Sequence, residues 1–499
     1  MHDPSRRMFL TRLGQGALMA AAGNVGAAEL AAAVAGADTV CDPEIERLVG
    51  WMQEKPPDAL MVELVRELRA GTRLETLLGA GAIANARAFA GEDYEGYHAL
   101  MALLPAHHMA ARMPEKLRAL PVLKVLHRNS ARIQATGGAR DRLRPVAAAE
   151  SAADAVATLR RFERGGDMQA AERLFRAICD DGNEAAFRAM RPLVRDDINV
   201  HRTVLAWRSF DLLPVVGQDH AHTVLRQFVR FCIDQEQDRI RKARPVPAIR
   251  DVVPAALDRH RLLGRELGRR QPDDGVVAEL RDAVFAADRA RAADRIAAAL
   301  AEGFDPEPIG EAISLAANKL LRHDSGKARV HGASVGVHAS DAANAWRHLA
   351  RLGAPTDRAA DLVAAAFHTG GQSEHVAPEP YGFDEQLAAL QSRRDGAEVE
   401  AALVEGIERN DQRAACAAAA RWGELGLGER PILDCLLRYA VSEDGALHAE
   451  KYFHTVCDEF ASTRPALRWQ HVVALARVTA SEYGERAPGH DLTRRLLQD

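Results

Sequence analysis

The spacing of apolar residues is the feature that most restricts how this chain can fold. Apolar residues recur at positions i, i+3, i+4 and i+7 through most of the 499 residues, as in Leu280 followed by Ala283 and Val284. Alternating runs typical of strands are nearly absent. With 47% hydrophobic residues, the chain can bury a large core. The sequence therefore predicts an all-α fold.

One helical template recurs along the chain. Residues 152–197, 276–324 and 397–444 each predict a helix, a break, an alanine-rich second helix, a turn and a third helix that ends in acidic residues. Residues 58–93 contain a shortened copy. We therefore predict an array of about four related helical units that can close around a central site. The expected units are 36–150, 151–275, 276–396 and 397–499.

The first 35 residues have the pattern of an export signal. Arg6 and Arg7, followed by Met-Phe-Leu and an alanine-rich run to about Ala35, resemble a twin-arginine signal. Cleavage after Ala27 or after Ala35 would fit, and an ordinary amphipathic first helix is the alternative. The signal predicts the twin-arginine export machinery as a partner and a periplasmic or extracellular location.

Charge, hydropathy and cysteine content restrict the possible partners and metal sites. The 65 basic and 70 acidic residues are interspersed and give a net charge of −5, which argues against nucleic acid as a partner. No later stretch reaches the roughly 18–20 apolar residues of a transmembrane helix, so we expect no membrane span in the mature protein. The six cysteines lack C-x-x-C spacing, which argues against an iron–sulfur cluster or a zinc ribbon.

Histidines follow every copy of the repeat. His98 stands five residues after Asp93 and His201 stands four after Asp197, and histidines also trail the third and fourth copies. Equivalent histidines in a closed helical array would meet near its axis, where imidazoles can bind a transition metal. The alternative is that these are ordinary structural histidines. The predicted metal ligands are His98, His201, His338, His454, His331 and His107.

Three further residues are candidates for catalytic or supporting roles. Asp341 lies three residues after His338, so the two share one face of a helix, and a carboxylate there can orient an imidazole or act as an acid or base. His220 and His471 are each followed by an arginine six residues later, which suggests equivalent positions in two units.

These observations predict an exported metal-dependent oxidoreductase that acts on a small organic substrate. Twin-arginine export carries folded proteins that often contain a cofactor, and an open coordination position on iron or copper would activate oxygen or the substrate. We favour iron or copper over zinc. The alternatives are an α-solenoid-like binding protein without catalysis and a zinc-dependent hydrolase. The chain contains no H-E-x-x-H motif, so a zincin protease is not indicated.

The segments that carry the histidines also suggest a family. GAIANARAFAGEDYEGYHALMALLPAHH, INVHRTVLAWRSFDLL with GQDHAH, VHGASVGVHASDAANAWRHL and KYFHTVCDEF resemble a group of bacterial exported proteins of unassigned function. The chain is also distantly similar to the questin oxidase-like family, helical proteins with histidines spread along the chain. That resemblance implies oxygen-dependent oxidation of the Baeyer–Villiger type. A nicotinamide-binding fingerprint is missing, so no residue role is taken from that family.

Overall fold

The computed structural model describes residues 43–89, 96–140, 142–143, 145–149 and 152–499. These residues form α-helices joined by turns and short 3-10 segments, and they contain isolated bridges but no strand. The prediction of an all-α fold is confirmed. The predicted export signal lies outside the described residues. Among the helices that the structure describes, none is both long enough and apolar enough to span a bilayer.

The helices of the first half are α1 (Pro43–Glu54), α2 (Pro57–Arg69), α3 (Leu74–Ala88), α4 (Gly96–Ala110), α5 (Leu120–Ala135), α6 (Ala155–Arg164), α7 (Met168–Asp180), α8 (Asn183–Val194), α9 (Val200–Asp211), α10 (Leu213–Val216), α11 (Ala221–Arg241) and α12 (Ile249–Arg259). Those of the second half are α13 (Asp274–Ala286), α14 (Arg289–Ala301), α15 (Pro306–His323), α16 (Val335–Arg351), α17 (Pro355–Thr369), α18 (Asp384–Ala389), α19 (Gly396–Glu408), α20 (Gln412–Glu424), α21 (Glu429–Ser442), α22 (His448–Ser462), α23 (Trp469–Glu482) and α24 (His490–Gln498).

Aspartate side chains fix where many of these helices begin. An aspartate directly before a helix accepts a hydrogen bond from a backbone N–H of the first turn, which satisfies a group that has no partner within the helix. In the second half of the chain, Asp273 and Asp288 cap α13 and α14 in this way, and Asp395 and Asp411 cap α19 and α20. The capping aspartates therefore mark the helix starts directly in the sequence.

Four helices enclose the centre of the fold. Helix α4 packs against α9 and α22, and α16 packs against the same two helices. Within this set, each helix contacts two of the other three. The four helices therefore form a closed ring, which we call the central ring. Its core includes Trp346 of α16, which is fully buried.

The four helices of the central ring run in the same direction. Residues from the first turns of all four helices meet at one level. Later residues meet at a second level, where His108 of α4 contacts His454 of α22, and His348 of α16 contacts Asp458 of α22. At 1.5 Å per residue, ten residues separate the two levels by about 15 Å along α4 and α16. The central ring therefore has two polar levels along one axis.

Candidate functional site

Four histidines meet at the first level of the central ring. His98, His201, His338 and His448 each lie within the first four residues of α4, α9, α16 and α22. His98 and His201 are 5% exposed and His448 is 6% exposed, whereas His338 is half-buried. We call these four residues the histidine cluster. Four segments of the chain that are far apart in sequence therefore contribute one imidazole each to an enclosed site.

The rings of the histidine cluster are arranged around a common centre. Centroids of neighbouring rings are 4.7 Å apart for His98–His201, 5.5 Å for His201–His338, 5.1 Å for His338–His448 and 5.2 Å for His448–His98. The Nε2 atoms of His338 and His448 are 3.1 Å apart. Nδ1 of His448 lies 3.3 Å from the carbonyl oxygen of Gly445. If Nδ1–H donates to that carbonyl, the lone pair of His448 is on Nε2 and faces His338.

Burial keeps the imidazoles of His201, His338 and His448 neutral. Desolvation, followed by the positive charge of Lys451, lowers the pKa of His338 to about 4. Desolvation also lowers the pKa of His201 and that of His448, and the neighbouring histidines and Lys451 add to both shifts. The positive ends of four helix dipoles disfavour protonation further. Neutral imidazole is the form that binds metal ions, so the cluster is in a ligand state at neutral pH.

Local backbone features place two of the histidines. Asn199 caps α9, and its side chain accepts a hydrogen bond from the backbone N–H of His201 at 2.9 Å. Before α22, Ala446 and Leu447 both have positive φ values of 48° and 68°. This backbone region costs non-glycine residues on the order of 1–2 kcal/mol each. The chain therefore accepts strain at the point where it turns His448 toward the cluster.

A buried acid and a buried base lie one turn beyond the cluster. Lys451 is 2% exposed, and burial lowers its pKa to about 8, although Asp341 and Glu450 oppose that shift. Asp341 is 4% exposed and accepts a hydrogen bond from Oγ1 of Thr455 at 2.8 Å. Burial raises the pKa of Asp341, and Lys451 opposes the rise. Burial therefore moves the pKa of each group toward neutrality, as it does for acid–base groups of active sites.

A second set of polar side chains occupies the later level of the central ring. We call His108, His348, His454 and Asp458 the distal group. The ring centroids of His108 and His454 are 4.4 Å apart, and Nε2 of His348 lies 2.5 Å from Oδ2 of Asp458. Trp207 stacks on His348 with a centroid distance of 4.4 Å. All four members of the group are half-buried, so solvent reaches this level more readily than it reaches the histidine cluster.

The predicted site residues fall into two sets in the structure. His98, His201 and His338 meet in the histidine cluster, and Asp341 lies one turn away from it. His454 belongs to the distal group. The others have separate surroundings: His107 lies 3.8 Å from Glu75, His220 precedes α11 near Arg87, His331 lies 3.3 Å from the Asp324 carbonyl, and His471 lies 3.4 Å from Thr463.

Sequence reasoning missed two residues of the first level, His448 and Lys451. The signal was available for His448, which stands four residues after Asp444, the same interval that separates His201 from Asp197. Lys451 follows His448 by three residues, just as Asp341 follows His338. The prediction chose His454, whose interval to Asp444 is longer.

Neither the geometry of the described residues nor similarity to known proteins identifies a metal site. Among the residues that the structure describes, no group of three or more His, Cys, Asp or Glu side chains has the arrangement of a formed metal site. No family model, no curated protein and no solved structure matches this chain. The family resemblance, the metal and the roles of the site residues therefore stay predictions.

Proposed function

We propose that the protein is a metal-dependent oxidoreductase whose ion is held by the histidine cluster. The single observation that supports this proposal is the convergence of four imidazoles, three of them buried, from four parallel helices. Imidazole nitrogen suits iron and copper as well as zinc.

The donor set fits one transition-metal ion. Two nitrogens bound to the same tetrahedral ion at about 2.0–2.1 Å are about 3.3 Å apart, close to the 3.1 Å between Nε2 of His338 and Nε2 of His448. His448 also has the backbone carbonyl of Gly445 at its other nitrogen, an arrangement that orients histidine ligands in metal proteins. His98 and His201, whose rings face the same centre, would supply the remaining two nitrogens.

The surrounding residues define what the site can do. A bound iron or copper ion would supply redox chemistry and a position for oxygen or substrate. Lys451 can donate a proton and Asp341 can accept or return one, because burial moves the pKa of each group toward neutrality. The enclosed walls of the cluster exclude bulk water and protect reactive species from it.

The proposal includes the fourfold array and the export route. Paired aspartate caps start the first two helices of the repeats at 152–197, 276–324 and 397–444, with the first cap of each pair close to the start of the repeat, which supports related units of common origin. These aspartates are Asp154 with Asp167, Asp273 with Asp288, and Asp395 with Asp411. One helix of each unit would then contribute to the central ring. The metal would be loaded first, and the folded protein would then be exported.

Metal analysis with a redox titration tests the function. The full-length protein is purified from its native compartment without chelators, and its metals are measured by inductively coupled plasma mass spectrometry. We expect about one equivalent of iron or copper. The electronic absorption and electron paramagnetic resonance spectra should change on reduction with dithionite and recover in air.

Other outcomes would contradict the proposal in distinct ways. A folded protein with no stoichiometric metal would exclude the metal enzyme and favour a binding protein. One equivalent of zinc with no spectral change on reduction would exclude the oxidoreductase and favour a hydrolase.

A further inference from the structure

Arg208 is a buried cation whose hydrogen-bond donors are incompletely used. It lies on α9, seven residues and therefore about 10 Å beyond His201 along the helix axis. The residue is 3% exposed. Within the described part of the chain, its Nε and Nη1 atoms have no hydrogen-bond partner, and the nearest carboxylate oxygen, Oδ2 of Asp211, is 3.7 Å from Nη1. Such unfilled donors are costly in a folded protein and call for an explanation.

An equivalent pair on another central helix provides an internal comparison. Helix α9 carries Trp207-Arg208 and α16 carries Trp346-Arg347. The indole N–H of Trp346 donates to Nδ1 of His368 at 3.2 Å, and Arg347 donates to Glu459 and to Ser462. The indole nitrogen of Trp207, like Arg208, has no partner among the described residues. Nε lacks a partner in both arginines, but the indole and Nη1 have partners in Trp346-Arg347 and none in Trp207-Arg208 among the described residues.

Negatively charged side chains already lie near Arg208. Asp458 and Asp211 keep 27% and 26% of their side chains exposed, so solvent reaches these two side chains. Burial lowers the pKa of the Arg208 guanidinium, and the carboxylates of Asp211, Asp341 and Asp458 oppose that shift. These carboxylates would repel an anion with two charges more strongly than an anion with one. A single carboxylate could form a hydrogen-bonded ion pair with the free donors of the guanidinium.

We propose that Arg208 binds the carboxylate group of a small organic acid between the histidine cluster and the distal group. Besides burial, the positive charge of the nearby Arg208 lowers the pKa of His108 and of His454, and these neutral imidazoles can hydrogen-bond to other oxygen atoms of the ligand. The assignment of this acid as the substrate rests on the proposed function. Binding of the carboxylate itself does not require the metal.

Calorimetry with matched charged and neutral probes tests carboxylate binding at Arg208. Acetate, pyruvate and benzoate are titrated into the full-length protein, together with acetamide, benzamide and inorganic phosphate. We expect saturable binding of at least one carboxylate. The matching amide and inorganic phosphate should each bind at least about tenfold more weakly. Arg208→Gln should weaken binding at least about tenfold, whereas Arg241→Gln, which removes an exposed arginine of α11, should leave it unchanged. Binding should persist in His338→Gln, which separates this proposal from the metal.

Thermal unfolding of the variants gives an independent test. Because Arg208 lacks a close partner, Arg208→Gln should unfold at the same temperature as the wild-type protein or higher, whereas Arg347→Met should unfold at a lower temperature. The proposal is overturned if no carboxylate binds, if phosphate binds in preference, or if binding survives Arg208→Gln. It is also overturned if Arg208→Gln destabilises the protein as much as Arg347→Met.

Discussion

The His338→Gln variant is expected to bind its metal at least about 100-fold more weakly than the wild-type protein. Loss of a residue that only orients a ligand costs about 10–100-fold in affinity, and removal of a ligand should cost more. Glutamine keeps a similar size and polarity, and His338 is half-buried, so the fold should tolerate the change. Affinity is measured by competition with a chromophoric chelator after removal and re-addition of the metal.

A matched control separates this effect from general histidine chemistry. His375 is exposed in a 3-10 turn, and His375→Gln should bind metal as the wild-type protein does. His448→Gln should match His338→Gln, whereas His454→Gln should retain the metal because His454 belongs to the distal group. Equal affinity of the wild-type and His338→Gln proteins would show that the cluster does not hold the ion.

Arg347→Met is expected to lower the free energy of unfolding by about 3–5 kcal/mol. Arg347 on α16 and Glu459 on α22 form an ion pair whose side chains are 3% and 2% exposed. Removing one partner of such a pair leaves an uncompensated buried charge, which is far more costly than the pair is stabilising. Urea denaturation at pH 7 measures the change. The pair joins the two helices that carry His338 and His448, so its loss should also loosen the cluster.

Two further variants test the cause of that destabilisation. Arg351→Met, one turn later on α16, breaks only a partly exposed pair with Glu307 and should cost less than about 1 kcal/mol. The double variant Arg347→Met with Glu459→Leu removes both charges and should recover a large part of the lost stability. If the double variant is as unstable as the sum of its single changes, the buried charge is not the cause.

The helical fold was predictable because periodicity is a local property of the sequence. The convergence of His98, His201 and His338 was predictable for a related reason, since each lies near the start of the helix that follows a repeated pattern. Side-chain caps from Asn199 and Ser334 fix the starts of α9 and α16, and a fixed position near a helix start becomes a fixed level in a parallel ring.

The contribution of His448 depended on backbone geometry that the sequence does not specify. Positive φ values at Ala446 and Leu447 start α22 at His448, and neither residue type favours that conformation. His331 is the converse case, a predicted ligand that the structure places apart from the histidine cluster. Gly332 packs so closely that an added Cβ would lie 2.1 Å from Oε1 of Glu482, and His331 faces the Asp324 carbonyl rather than the cluster. Such close tertiary contacts override local spacing.

X-ray absorption spectroscopy at the absorption edge of the bound metal most directly tests the central claim, that the histidine cluster holds the ion. The account predicts a coordination sphere of three or four imidazole nitrogens at about 2.0–2.1 Å, with the scattering pattern of histidine rings. In the His338→Gln protein reloaded with the same metal, that sphere should contain one imidazole fewer. A sphere of oxygen or sulfur ligands without imidazole, or a purified protein without any bound metal, would contradict it.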